Sequence, residues 1–71
     1  MLHILKIKGT DKIPDFVQIR DEYMTLIAYF RLNQVEKGLM KNGLEKHIDA
    51  ISTIIEEIEF GKIYKYNTKN E

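Results

Sequence analysis

The chain has no cysteine, no tryptophan, one proline and one serine. Without thiols there is neither a disulfide staple nor a thiolate zinc site. His3 and His47 are the only imidazoles, and they stand far apart with no metal-type spacing. The lone serine, Ser52, lies between Ile51 and Thr53, with no glycine to build the sharp turn that exposes a serine nucleophile. Asp21 and Glu22 are adjacent carboxylates at a turn, where acidic residues commonly serve solubility, and 71 residues hardly provide the cleft a glycosidase pair needs. Gly38 and Gly43 have the spacing that opens a phosphate loop, but Leu44 and Glu45 stand where that loop requires Lys and Ser or Thr. The expectation is a non-enzymatic protein with no cofactor and no metal.

An excess of charge is also missing: eleven basic residues balance eleven acidic ones. Domains that hold a polyanion are usually visibly basic, so this balance weighs against nucleic acid as the main partner. Only Arg20 and Arg31 are arginines against nine lysines, which lowers that reading further, since arginine carries most bidentate recognition. No apolar run approaches the ~20 residues of a membrane span. The opening MLHILKIKG has no basic leader and too short an apolar stretch for a secretory signal. A cytoplasmic protein without membrane contact is expected. One domain of this length buries only about 60% of its unfolded surface, and its core alone rarely supplies more than ~3–5 kcal/mol. With disulfide and zinc excluded, a partner subunit is the expected support.

The strongest pattern present is GLEKHIDAISTIIEEIEF, residues 43–60. Leu44, Ile48, Ile51, Ile55 and Ile58 step by four and three, which stacks them on one side of a helix, while Glu45, Asp49, Glu56 and Glu57 take the other. Such a helix would be ~27 Å long, enough to cover one face of a small sheet. Asn42 with Glu45, and Asn33 with Glu36, have the spacing of a capping box, so two helix starts are predicted. Gly38 weakens the shorter helix, and Gly61 follows the longer one as a left-handed cap would. His47, at the edge of the isoleucine stripe, is expected to be buried and hydrogen-bonded; His3 is expected to be half exposed and inert.

Strands are predicted over residues 2–8, Phe16–Arg20, 23–32 and 62–67, with Asp21 and Glu22 as a tight hairpin loop. The chain order is β-β-β-α-α-β. The fold predicted is α+β: a small antiparallel sheet of about four strands with one long amphipathic helix on one face. Residues 1–67 form a single domain and 68–71 a frayed polar tail.

The third strand is apolar on both sides. Leu26, Ala28, Phe30 and Leu32 would meet the helix, leaving Thr25, Ile27, Tyr29 and Arg31 on a face that one helix cannot cover. The first strand repeats this, with Leu2 and Ile4 on one side and Leu5 and Ile7 on the other. The four outward residues of the third strand are therefore the expected contact for a second copy, as a homodimer, or for a small protein partner. The alternative is a single-stranded nucleic acid stacked on sheet tyrosines, among them Tyr64 and Tyr66, and held by Lys6, Lys8, Arg31, Lys62 and Lys65.

Overall fold

The computed structural model describes residues 1–68. Strands β1 (Leu2–Ile7), β2 (Phe16–Arg20), β3 (Leu26–Arg31) and β4 (Ile63–Tyr66) form one antiparallel sheet, with helices α1 (Val35–Lys41) and α2 (Ile48–Glu57) between β3 and β4. The α+β class and the four antiparallel strands agree with the sequence pattern. Across the sheet the order is β3-β2-β1-β4, so the last strand lies beside the first and β1 and β2 occupy the centre. The polar tail expected at 68–71 lies, from Lys69 onward, outside the described residues.

The single long helix does not form. A three-residue 3₁₀ turn, Glu45–His47, leads into the ten residues of α2. The helix ends at Glu57, where Ile58 swings to an extended conformation (φ −74°, ψ 144°). Phe60 and Gly61 instead belong to the turn into β4. Gly61 takes φ 81°, and its amide donates to the Lys6 carbonyl at 2.9 Å, tying that turn to β1. The isoleucine stripe survives the shortening: Ile51 and Ile55 are buried, and Leu44, Ile48, Ile54 and Ile58 are half-buried.

Neither asparagine caps a helix start. A 3₁₀ turn, Leu32–Gln34, intervenes before α1, and Gln34 and His47 precede the two α-helices without side-chain caps. Asn42 works at the other end. Its Nδ2 donates to the Gly38 carbonyl at 2.7 Å, satisfying one of the carbonyls that every helix C-terminus leaves open.

Both helices pack on one side of the sheet around a single core of Leu2, Ile4, Val17, Ile19, Ala28, Phe30, Leu39, Ile51 and Ile55. Gly38 sets how closely α1 approaches. A Cβ at that position would lie 2.3 Å from Phe30 Cγ and 2.8 Å from Phe30 Cβ, so the helix rests directly on the Phe30 side chain. The same glycine that weakens the helix locally is what lets it dock.

One charge sits inside this layer. Lys6 falls in the core-facing alternation of β1 and is only 8% exposed. Its Nζ donates to the Ile55 carbonyl at 2.9 Å and lies 4.7 Å from the centre of the Phe60 ring. Ile55 is in the last turn of α2, so the ammonium meets the negative end of the helix and a carbonyl with no partner further along it. The Lys6→Met variant keeps the stem and removes the charge, and leaves that buried carbonyl open. It is expected to lose about 1–2 kcal/mol, since an unsatisfied buried acceptor costs roughly 1–3 kcal/mol and release of the buried charge offsets part of it. Urea denaturation followed by far-UV circular dichroism measures it.

The second hairpin is longer than two residues. Asp21 Oδ1 accepts the amides of Tyr23 (2.8 Å) and Thr25 (2.9 Å), and Met24 takes a left-handed conformation, φ 66°. The carboxylate organises its own loop, so β3 begins only at Leu26. A bulge follows: Ile19 pairs with Ala28 but Arg20 pairs with Leu26, leaving Ile27 as the extra residue. The alternation therefore slips. Leu26, expected against the helices, is 44% exposed, whereas Ala28 and Phe30 are buried as expected.

Candidate functional site: the open sheet face

Hydrogen-bond register builds the uncovered face in three rows. The middle row runs Ile63, Leu5, Gln18, Tyr29 from β4 to β3. Towards one end of the strands lie Ile7, Phe16 and Arg31; towards the other lie Lys65, His3, Arg20 and Leu26, with Ile27 beside Leu26 in the bulge. Ile63 and Tyr29 are each 52% exposed and Ile27 38%, while Leu5, Ile7 and Phe16 are half-buried by their neighbours. The Phe16 and Tyr29 rings stack with centroids 4.6 Å apart and planes at 26°, a diagonal cross-strand pair of the kind that stabilises adjacent strands.

Polar groups on this face are largely occupied by the chain itself. Arg20 Nη2 donates to Gln18 Oε1 at 3.0 Å and Nη1 to the Met24 carbonyl at 2.8 Å. His3 Nδ1 donates to the Asp21 carbonyl at 2.9 Å, so this half-buried ring is fixed in place. What remains unused is apolar surface, with Arg31 and Lys65 at its margins. None of the residues in the three rows is acidic.

Comparison with family models, with curated proteins and with solved structures finds no match. The chemistry of the face therefore carries the functional reading.

Of the four residues expected to form this face, Ile27, Tyr29 and Arg31 lie on β3. Thr25 stands ahead of the strand, exposed in the Asp21 loop. Phe16, Leu26 and Ile63 join the face without having been singled out for it. Alternation within each strand was visible in the sequence; which strands share a face depends on register, and on a bulge that no local signal announces.

Two of the sheet tyrosines considered for a nucleic-acid platform, Tyr64 and Tyr66, are absent from the open face. Tyr64 pairs with the core residue Ile4, and Tyr66 pairs with Leu2, so both belong to the helix side. Tyr66 packs against the core and its hydroxyl is hydrogen-bonded to His47 Nδ1 across 3.1 Å. His47 is thus half-buried and engaged, close to its expected state. Lys6 is committed to α2, and Lys8 lies 5.0 Å from the Phe60 ring. Among the described residues no group of three or more His, Cys, Asp or Glu can hold a metal ion, and no helix is long and apolar enough to cross a membrane.

Proposed function

We propose that this chain is a non-enzymatic interaction module that self-associates through the open sheet face. The observation that carries the reading is the gradation of that face, uncharged across its middle row, with its cations Arg20, Arg31 and Lys65 confined to the two end rows. An apolar centre within a polar rim is the anatomy of a protein interface, and the rim cations stay hydrated when two such faces meet. Standard interfaces take about 800 Å² from each partner; a four-stranded face about 20 Å on a side projects to roughly 400 Å², which makes this a small interface. A second copy also answers the small core, because burying this face adds apolar area that nine core residues do not provide.

Sedimentation equilibrium at micromolar concentration is the test. The wild-type chain is expected at twice its monomer mass. Ile27→Glu combined with Ile63→Glu should return it to the monomer with its far-UV spectrum retained, since both positions are exposed. A wild-type monomer whose mass those substitutions leave unchanged would overturn the proposal.

A further inference from the structure

Charge on this chain cancels in sum but not in space. Along the outer edge of the sheet, α1 rests on β3 through Gly38 and Phe30, and a groove of about 280 Å³ runs beside that contact. Lys37 and Lys41, one turn apart on the same side of α1, face it together with Arg31 of β3. The stacked rings of Phe16 and Tyr29 form its aromatic wall. No acidic residue lines it: Glu36, the one carboxylate of α1, is not part of the groove. The balance that weighs against a polyanion for the whole chain does not hold at this edge, because beyond about 8–10 Å other charges are largely screened.

We infer that the groove between β3 and α1 binds single-stranded nucleic acid, with backbone phosphates among Arg31, Lys37 and Lys41 and a base stacked on Tyr29. Three cations with no carboxylate among them fit a phosphodiester, which offers negative charge and no donor. The aromatic wall selects among anions. Tyr29 is half exposed and already parallel to Phe16, so an unpaired base extends an existing stack, whereas an acidic peptide gains nothing from it. A duplex presents its phosphates but keeps its bases inside. The groove has room for about one nucleotide. It shares Phe16, Tyr29 and Arg31 with the open face, so a bound strand competes with self-association, while Lys37 and Lys41 belong to α1 outside that face.

Fluorescence anisotropy with labelled single-stranded oligonucleotides tests this on the intact chain, using oligouridylate and oligothymidylate in parallel. Binding of either supports the inference, and the stronger of the two identifies the source as RNA or DNA. With three phosphate contacts, affinity is expected to fall about 20-fold between roughly 50 and 200 mM salt. Lys37→Glu combined with Lys41→Glu should abolish binding and leave the sedimentation mass unchanged. Tyr29→Ala should weaken binding about tenfold, as loss of one stacking contact does. No anisotropy change with either oligonucleotide, in the wild-type chain and in the Ile27→Glu, Ile63→Glu chain alike, overturns the inference, and so does binding that survives the double lysine reversal or a duplex bound as tightly. A dimeric chain that binds neither oligonucleotide, and whose Ile27→Glu, Ile63→Glu monomer binds neither as well, overturns this inference alone and leaves the proposed self-association standing. A monomer that binds them does the reverse.

Discussion

Gly38→Ala is expected to lower the melting temperature by about 5–15 °C, against the usual direction for this exchange. In an open helix the substitution gains about 1 kcal/mol, because glycine forfeits more backbone entropy than alanine on becoming helical. Here the added methyl would meet Phe30 at 2.3 Å from Cγ and 2.8 Å from Cβ. Those atoms lie near the root of a buried side chain, so the ring cannot swing clear and α1 must lift from the sheet. Overpacking of this kind costs roughly 1–3 kcal/mol and sometimes more, which outweighs the helical gain. Thermal melts of the two chains, followed by far-UV circular dichroism, measure the difference. A Gly38→Ala chain more stable than wild type would show that the contact between α1 and β3 is loose.

Ile51→Ala is expected to do more. Ile51 is fully buried and sits where the α2 stripe meets the sheet. Removing such a side chain costs about 2–5 kcal/mol, from the lost transfer energy and from the cavity that remains. A lone core of this size holds roughly 3–5 kcal/mol in all, so the variant is expected to be largely unfolded when dilute. Its melting temperature should then rise with protein concentration, because association draws the folded population forward by mass action. Circular dichroism melts at two concentrations tenfold apart would show the shift. A concentration-independent melt in this variant would count against self-association as a source of stability.

Much of the fold was legible because it rests on local periodicity. Ile51 and Ile55 mark the covered side of α2, and the two-sided apolar pattern of β1 and β3 announces a sheet with more greasy faces than one helix layer can cover. What escaped is set by partners distant in sequence. The core-facing place of Lys6 becomes tolerable only because the end of α2 arrives beside it, and nothing in LHILKI encodes that arrival. Leu26 was assigned to the wrong side because one extra residue in the ladder reverses the alternation beyond it. Asn33 and Asn42 carry a capping spacing, yet 3₁₀ turns on either side shift both helix starts away from them. Of the candidate site, Ile27, Tyr29 and Arg31 were read from β3 alone. Phe16 and Ile63 needed the ladder, and the cationic groove needed α1 to lie along the outer edge strand.

The placement of β4 against β1 bears on how the sheet is completed. The first three strands are a meander whose turns close over short distances, but Leu2 meets Tyr66 across nearly the whole chain. That loop is roughly seven times longer than the one joining β1 to β2, and closing it costs about 2 kcal/mol more in chain entropy. β4 is therefore expected to dock last, after the helices have shortened the gap. Until then the outer edge of β1 stands bare in the middle of the future sheet, with Leu2 and Ile4 on the strand and its backbone groups unpaired. During that interval the same strand from a neighbouring molecule fits the vacancy as well as the chain's own. Exchange of β4 between two copies is thus the misassembly to which this topology is most exposed, and newly made chains at high local concentration would meet it first.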